Sequence, residues 1–184
     1  MKKFLLICGV SGSGKSFIEK QLVNQRINST LKFNRLIQVT TREMREGEMD
    51  GESYIFINRD EYDGMKDNLI ATTEFYGNCY GTPDYSKMYH DNGLNINTIV
   101  VNREGHDSAV ADLKSKYKDC HICTIQIKNN DPMQREGRDY EREEKELDDI
   151  SDYIFDNSPG NRLDIKKIID TLYETGFIYE PKFH

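Results

Sequence analysis

The segment CGVSGSGKS at residues 8–16 constrains the fold of this chain more than any other stretch. Gly9, Gly14, Lys15 and Ser16 satisfy the spacing G-x-x-x-x-G-K-[ST], directly after the apolar run FLLI and directly before a helical pattern. Glycines at this spacing let the backbone bend so that successive N–H groups point at phosphate oxygens, and the positive end of the following helix adds to them. The segment therefore predicts a strand, a phosphate-binding loop and a helix, in that order.

Two side chains of this loop have predicted roles of their own. We expect Lys15 to reach the β- and γ-phosphates of a nucleoside triphosphate and Ser16 to place its hydroxyl on Mg²⁺. The residues expected to surround the phosphates are Gly9, Ser11, Gly12, Ser13, Gly14, Lys15 and Ser16. A glycine-rich turn without a ligand is the alternative, and the flanking strand and helix patterns argue against it. The loop alone does not name the reaction, because GTPases, motors and small-molecule kinases share it.

Apolar, β-branched runs alternate with helical patterns along the chain, as in α/β proteins. The predicted strands are residues 4–8, 36–40, 97–101, 122–127 and 152–156, and the predicted helices are residues 15–25, 104–117 and 162–174. In the first helix we expect Phe17, Ile18 and Leu22 to share the buried face. The 184 residues are enough for one domain with a mostly parallel sheet flanked by helices.

Two stretches interrupt this alternation. Residues 41–82 are rich in Tyr, Glu, Asp and Gly and contain short strand-like pieces, which predicts a small mixed insertion. Residues 129–150 are almost entirely charged, which predicts a solvated helix with paired opposite charges. We therefore divide the single domain into a core of residues 1–39, 83–128 and 151–184, an insertion of residues 40–82 and a helical segment of residues 129–150.

Charge and hydropathy exclude some classes of protein. The net charge of −7 and the pI of about 5.2 argue against general binding of nucleic acid. No apolar run approaches the roughly 20 residues of a membrane-spanning helix. The N-terminal sequence MKKFLLICGV starts like a signal peptide, but its short apolar stretch continues into the glycine loop, so we interpret it as a buried strand. We expect a cytoplasmic monomer or homodimer without nucleic-acid or membrane partners.

The cysteines and histidines do not form a recognisable metal site. Cys120 and Cys123, in the segment CHIC, have the spacing of half a zinc site, but a second half is missing. On a strand, residues three apart also point to opposite faces. We therefore predict that Cys120 and Cys123 are ordinary buried thiols, and we expect no disulfides and no metal ligands among the histidines. The remaining cysteines and histidines are Cys8, Cys79, His90, His106, His121 and His184.

Two later segments carry arginines and tyrosines suited to a phosphate group. The segment TTREMREGEMDGESYIF supplies Arg42, Arg45 and Tyr54, and the segment YGNCYGT supplies Tyr80. Two guanidinium groups and two phenols that converge on one anion would form a strong monophosphate site. Two nearby arginines are also common on ordinary charged surfaces, which is the alternative.

In order and spacing, GVSGSGKS, TTREMREGEMDGESYIF and YGNCYGT resemble the guanylate kinase family. The family pattern is a P-loop, a TTR-x-x-R-x-GE-x-x-G-x-x-Y segment and a GN-x-YG-[ST] segment, and the resemblance is weakest over residues 128–150. It implies a nucleoside monophosphate kinase fold: a P-loop core, a small insertion that binds the nucleoside monophosphate (NMP) and a short helical lid. It also implies Mg²⁺-assisted transfer of the γ-phosphoryl group of ATP to the phosphate of a nucleoside monophosphate.

The resemblance implies roles for individual residues. Arg42, Arg45, Tyr54 and Tyr80 should hold the acceptor phosphate, and Thr82 matches a hydroxyl residue beside the pocket. Arginines of the lid should neutralise the transferring phosphoryl group. The candidates for this catalytic role are Arg135, Arg138 and Arg142, with the first two favoured over the third. Salt bridges to neighbouring glutamates are the alternative for each of them, and by position Asn157 should lie near the adenine of ATP.

This chain departs from the family at the positions that read the base. Ala71 stands where the family has a glutamate that accepts hydrogen bonds from guanine, although Glu74 is a nearby acid. Asn102 replaces an aspartate, and Gln38 replaces a hydroxyl residue. An amide carries both a donor and an acceptor, so these residues suit several bases. We therefore expect altered or broadened base choice, possible action on deoxynucleotides, and weak Mg²⁺ affinity because Val100 occupies the site of a second acid.

Two other functions share some of these features. A non-catalytic guanylate-kinase-like module binds a phosphorylated protein partner in the acceptor pocket, but such modules typically lose the P-loop residues that Lys15 and Ser16 retain. A regulatory GTPase would carry an N/T-K-x-D base-reading motif, of which IKNNDP is only a faint echo. The sequence therefore favours the kinase.

Overall fold

The computed structural model describes residues 1–25, 31–85, 95–131 and 139–179. The strands are β1 (Lys2–Cys8), β2 (Lys32–Arg35), β3 (Val39–Thr40), β4 (Ile55–Phe56), β5 (Leu69–Phe75), β6 (Asn78–Pro83), β7 (Asn95–Val100), β8 (Cys120–Lys128) and β9 (Tyr153–Asp156). The helices are α1 (Lys15–Asn24), α2 (Arg59–Met65), α3 (Arg103–Lys116), α4 (Tyr140–Asp148) and α5 (Ile165–Glu174), with a 3₁₀ turn at Lys66–Asn68.

The larger sheet has the order β2-β7-β1-β8-β9, and every pairing in it is parallel. Its central strand β1 is buried on both faces because helices cover both sides of the sheet. One face packs against α1 and α5, and the other packs against α3 and α4. This arrangement confirms the predicted α/β fold, and it places the loop after the central strand β1 at the carboxyl edge of the sheet, where open α/β sheets bind ligands.

The smaller sheet has the order β4-β3-β6-β5 and mixes parallel with antiparallel pairs. It covers its own small apolar cluster, which includes Val39, Tyr62, Leu69 and Cys79. The sheet is the mixed insertion that the composition of this region predicts. Helix α3 of the core packs directly on β5, so the two sheets share a contact surface.

Strand β5 contains an irregularity where it lies against α3. Its pairing with β6 shifts register between Ile70 and Thr73, and the buried Ala71 has a φ of 55°. Two side chains of α3 hold this bulge: Asp112 Oδ2 accepts the backbone N–H of Ala71 at 3.3 Å, and Ser108 Oγ accepts that of Thr72 at 3.0 Å. Because a left-handed conformation costs an alanine free energy, these bonds explain why the bulge persists.

Two predictions from the pattern were wrong. Residues 36–40 form no single strand, because β2 ends at Arg35 and β3 begins at Val39. The run is apolar because Leu36 packs in the core and Val39 packs in the small sheet. Phe17 is 43% exposed instead of buried, and it packs beneath the guanidinium of Arg162 at 4.9 Å from the ring centre.

All four cysteines are free thiols. On β8, Cys123 is buried as predicted, whereas Cys120, at the start of the strand, is only half-buried, so the prediction of burial was wrong for Cys120. Within the four described ranges, no helix combines the length and the apolar character needed to cross a bilayer.

Candidate active site

The loop between β1 and α1 requires glycine at two positions for steric reasons. Gly9 has a φ of 150°, and a Cβ there would lie 2.4 Å from the carbonyl oxygen of Ile127 and 2.6 Å from Ser13 Oγ. Gly14 has a φ of 98°, and its Cβ would lie 2.5 Å from Asn157 Nδ2. The loop therefore packs against the ends of the neighbouring strands too closely for any side chain at these two positions.

Two asparagines from those strand ends brace the loop. Asn157 donates from Nδ2 to the carbonyl of Ser13 at 3.0 Å, and Asn129 donates from Nδ2 to the carbonyl of Gly12 at 3.3 Å. Asn157 Oδ1 accepts the backbone N–H of Leu163 at 3.1 Å, so both the nitrogen and the oxygen of its side-chain amide are hydrogen-bonded. The residue that the sequence places near adenine thus also fixes the shape of the phosphate loop.

Helix α1 begins at this loop in a form suited to an anion. Gly14 is its N-cap, no side chain caps the helix, and its first turn has no acidic residue. The first N–H groups of a helix lack partners in the helix itself, so an anion can bind them. Lys15 folds back and donates from Nζ to the carbonyl of Val10 at 2.8 Å. Ser13 Oγ is buried without a hydrogen-bond partner within the described part of the chain. These features fit a polyphosphate.

A cavity of about 480 Å³ joins this loop to the predicted acceptor residues. The predicted site residues on its wall are Gly9, Ser11, Gly12, Gly14, Lys15, Ser16, Gln38, Arg42, Arg45, Tyr54, Ala71, Tyr80 and Asn102. Thr82 is fully buried behind the wall, where its hydroxyl accepts a hydrogen bond from Gln38 Nε2 at 3.2 Å. Residues that are far apart in sequence therefore line one cavity.

Arg42 is held by an acid that the sequence analysis did not single out. Its Nη2 lies 2.8 Å and 2.9 Å from the two carboxylate oxygens of Glu48, and its guanidinium lies 5.4 Å from the ring centre of Tyr54. Glu48 Oε2 also accepts the backbone N–H of Arg45 at 2.8 Å. Partial burial pushes the pKa of Glu48 up, but the hydrogen bonds from Arg42 and Arg45 outweigh it and hold the pKa below its usual value. The sequence signal for this role of Glu48 was the Gly47–Glu48 pair in the TTR-x-x-R-x-GE segment.

The two tyrosines lie side by side on the same wall. The ring centres of Tyr54 and Tyr80 are 6.1 Å apart in an edge-to-face arrangement. Burial, and to a lesser extent Tyr80, raise the pKa of Tyr54, although Arg42 opposes the shift. Tyr54 therefore keeps its proton at neutral pH and has a hydroxyl to donate to a phosphate oxygen.

At the far end of the cavity, the residues that depart from the family pattern are partly committed to the fold. Asn102 Oδ1 caps α3 by accepting the N–H of Gly105 at 2.8 Å, and its Nδ2 donates to Thr73 Oγ1 at 3.4 Å. A carboxylate still borders this end, because Glu104 lines the cavity and accepts from Thr73 Oγ1 at 3.0 Å. Glu74 does not replace the missing glutamate: it lies off the wall and pairs with Arg59 at 3.5 Å.

The charged segment that follows the core contributes α4. Arg142 is exposed and pairs with Glu146 on the same helix at 2.8 Å, as the salt-bridge alternative proposed. Arg135 and Arg138 lie outside the described residues. The helix is tied to the core by Arg103, which donates from Nη1 to the carbonyl of Glu146 at 3.0 Å. Its buried side thereby closes part of the cavity wall.

Mg²⁺ fits the site only as a partner of bound phosphates. The described ranges hold no group of three or more His, Cys, Asp or Glu side chains able to bind a metal ion. Ser16 lines the cavity beside Lys15, while Val100 is the apolar residue on the neighbouring strand. Mg²⁺ at nucleotide sites takes most of its oxygen ligands from phosphates and water, so one protein hydroxyl is compatible with this mode of binding.

Sequence comparison finds guanylate kinases. The guanylate kinase family model matches residues 1–154. The guanylate kinase of Bacillus cereus is 38% identical over 95 residues, which are 50% of this chain and 45% of that protein. The guanylate kinase of Mesoplasma florum is 33% identical over 116 residues, which are 62% of this chain and 37% of that protein. The aligned part of the chain therefore spans less than half the length of either relative.

Structural comparison finds the same type of fold. The crystal structure of guanylate kinase from Anaplasma phagocytophilum has a TM-score of 0.62 to this chain at 20% sequence identity. The match covers 95% of this chain and 84% of the other. At this identity, the likeness concerns the arrangement of the elements.

Proposed function

The chain belongs to the guanylate kinase family, and on that premise we propose that it is an ATP-dependent nucleoside or deoxynucleoside monophosphate kinase. The main support is that one cavity is lined both by the phosphate loop and by Arg42, Tyr54 and Tyr80. A kinase needs a donor site and an acceptor site that face each other across a space closed to water. We expect a cytoplasmic enzyme whose partners are small nucleotides.

The proposed reaction is an in-line displacement at the γ-phosphorus of ATP. An oxygen of the acceptor phosphate forms the new bond to phosphorus, the bond to the β,γ-bridging oxygen breaks, and ADP leaves with that electron pair. Lys15 and the N–H groups at the start of α1 hold the donor phosphates. Arg42 and Arg45 bind the acceptor phosphate, and neutral Tyr54 donates a hydrogen bond to it. No covalent enzyme intermediate is required, because positioning and charge neutralisation supply most of the catalysis.

When bound with ATP through the Ser16 hydroxyl, Mg²⁺ would neutralise charge on the β- and γ-phosphates. The arginines of the lid, Arg135, Arg138 and Arg142, are the candidates to neutralise charge on the transferring group. The pairing of Arg142 with Glu146 favours Arg135 and Arg138 for this role.

The base preference is proposed to be broader than guanine. The side chain of Ala71 has no group that accepts hydrogen bonds from the N1–H and amino groups of guanine. The Oδ1 of Asn102 is already used as the cap of α3. Gln38 donates its Nε2 to Thr82, which leaves its amide oxygen to accept from a base. Loss of a charged acceptor weakens guanine binding by about 1–3 kcal/mol, which is enough to change the order of substrates.

The test is a coupled assay of ADP release with ATP and a panel of GMP, dGMP, dTMP, dCMP and dAMP. We expect turnover that depends on the acceptor, with at least one base other than guanine within about tenfold of dGMP in kcat/KM. Lys15→Met is the control for a catalytic P-loop and should abolish turnover. Activity confined to GMP and dGMP would rule out the broadened preference but not the kinase. A chain that turns over none of these acceptors yet binds a phosphopeptide would instead be the non-catalytic module.

A further inference from the structure

Arg35 joins the two halves of the site, although no motif of the sequence includes it. It is the last residue of β2, at the point where the chain leaves the large sheet for the small one. Its Nε lies 2.8 Å from Glu19 Oε2 on the core side. Its two terminal nitrogens donate to the small sheet's loop: Nη1 to the carbonyl of Glu52, and Nη2 to the carbonyl of Ser53 at 2.9 Å.

On the core side, Arg35 is anchored to the helix that carries the phosphate loop. Glu19 lies on α1, one turn after Lys15 and Ser16, and its side chain is only 2% exposed. Its other carboxylate oxygen accepts from Thr98 Oγ1 at 2.9 Å, so both oxygens have a partner. A buried, fully bonded carboxylate of this kind gives Arg35 a fixed point on the donor side.

On the acceptor side, Arg35 is anchored to a tight turn that ends at Tyr54. Within the turn, Met49 O accepts the N–H of Ser53 at 2.8 Å, and Tyr54 O accepts the N–H of Gly51 at 2.8 Å. Ser53 Oγ accepts the N–H of Met49 at 3.2 Å. These bonds make the turn a compact unit, so a tie to its two carbonyls also fixes the backbone of Tyr54.

We infer that Arg35 is a positioning residue that sets the distance between the donor and acceptor phosphate sites, by bridging Glu19 on α1 to the 52–53 turn beside Tyr54. The inference rests on the proposed kinase activity. A planar guanidinium presents its donors in a rigid fork and can hold one carboxylate and two carbonyls at once. In-line transfer depends on this distance, since a misplacement of about 1 Å costs on the order of a hundredfold in rate.

The test replaces both members of the bridge. Arg35→Met alone would leave Glu19 buried without its partner and endanger folding. The double variant Glu19→Gln/Arg35→Met removes both charges, and the single variant Glu19→Gln serves as its reference. Arg59→Met is the matched control, because it removes an exposed guanidinium from the insertion, where Arg59 pairs with the exposed Asp63 and Glu74. Each variant is assayed with its best acceptor for both KM values and kcat, together with its melting temperature.

We expect the double variant to lower kcat by about tenfold or more relative to Glu19→Gln and to raise the acceptor KM by about tenfold. The ATP KM should stay within about twofold, because the phosphate loop keeps its own contacts while the 52–53 turn loses its tie to α1. Arg59→Met should leave both KM values at the level of the parent protein. An equal rise of the two KM values, or an acceptor KM unchanged in a folded double variant, would overturn the inference. A parent protein without turnover would instead overturn the proposed function, so the two failures are distinguishable.

Discussion

At the scale of single residues, Glu48 does more than occupy a position in a motif. It grips Arg42 with both carboxylate oxygens and takes the N–H of Arg45, so it orients one arginine and fixes the backbone of the other. A bound phosphate competes for the same guanidinium. Arg42 is therefore held in a defined place before a phosphate arrives, which reduces the entropy lost on binding.

Glu48→Gln tests this preorganisation. The amide keeps one acceptor oxygen but loses the charge and the second acceptor, so the acceptor KM should rise about five- to tenfold while the ATP KM stays the same. Steady-state kinetics with each substrate varied in turn measures both values. Glu46→Gln, at a neighbouring exposed acid, is the control and should behave like the parent protein. A fall in the acceptor KM would show that Glu48 competes with phosphate more than it orients Arg42.

The lowered pKa of Glu48 also determines how the stability of the fold should depend on pH. The pKa of Glu48 in the folded chain is below its ordinary value of 4.5, because the bonds from Arg42 and Arg45 outweigh the effect of partial burial. A carboxylate with a lowered folded-state pKa stabilises the fold above its unfolded pKa, and this contribution is lost as the pH falls through the folded-state pKa. Glu48→Gln should therefore be less stable than the parent at pH 7, and the difference should shrink as the pH falls below 4.5. Urea unfolding of both proteins across this range measures the difference, and a gap that persists in acid contradicts the assignment.

At the scale of elements, the phosphate loop depends on how closely it packs against β8. Gly9→Ala would place a methyl carbon at 2.4 Å from the carbonyl oxygen of Ile127, which the backbone cannot accept without moving. We expect a loss of about 2–3 kcal/mol in the free energy of unfolding, together with loss of ATP binding. Gly160→Ala is the control: its φ is also positive, at 83°, but no atom lies within 4 Å of its Cβ. Equal effects of the two substitutions would mean that strain, not contact, matters at Gly9.

The β5 bulge is a second element whose shape depends on a neighbour. Ser108 Oγ accepts the N–H of Thr72, lies 3.2 Å from its hydroxyl and donates to Asp112 at 3.1 Å. Ser108→Ala should lower the free energy of unfolding by about 1–2 kcal/mol, because a partly buried N–H loses its acceptor. It should also lower kcat/KM for the acceptor, since the bulge lines the base end of the cavity. Ser115→Ala, at an exposed position of the same helix, is the control, and an identical effect there would exclude a specific role of Ser108.

What the sequence predicts at this scale depends on how local the cause is. The phosphate loop and the alternation of strands and helices can both be predicted from short patterns in the sequence. The observed parallel sheet confirms the predicted alternation. The break at residues 36–38 could not be predicted from the apolar pattern, because Leu36 packs in the core of the large sheet and Val39 packs in the cluster of the small sheet. The left-handed Ala71 has no local signal either, since its cause is a pair of side chains on α3. The ion pair between Glu19 and Arg35 could not be predicted either, because both are charged residues of the kind usually found on surfaces and they come together only in the folded chain.

At the scale of the whole molecule, the cavity is lined by residues of both sheets, which meet where α3 packs on β5. The chain crosses between them at residues 36–38, and α3 lies against β5 of the smaller sheet. Arg35 and the contacts of α3 with the bulge are therefore among the described contacts that join the donor side to the acceptor side. Substrate binding on one side can act on the other through these contacts.

Ligand binding should stabilise the whole molecule in a way that does not depend on turnover. A ligand present at about a hundred times its Kd adds about 2.7 kcal/mol to the free energy of unfolding. We expect a non-hydrolysable ATP analogue with Mg²⁺ to raise the melting temperature of the parent protein but not that of Lys15→Met. The acceptor nucleotide should still stabilise Lys15→Met, because its proposed site lies on the opposite wall. Stabilisation of both proteins by the ATP analogue would place ATP outside the phosphate loop.

The bracing of the phosphate loop has a consequence for biosynthesis. All residues of the loop have left the ribosome once Ser16 has emerged. The side-chain amides that donate to the loop's carbonyls, however, belong to Asn129 and Asn157, which are translated much later. Strand β1, which precedes the loop, also cannot pair until both of its neighbours, β7 and β8, have been translated. A nascent chain that has emerged only as far as the acceptor residues therefore has the sequence motifs but no rigid phosphate loop, and it should bind nucleotide only after Asn157 has emerged.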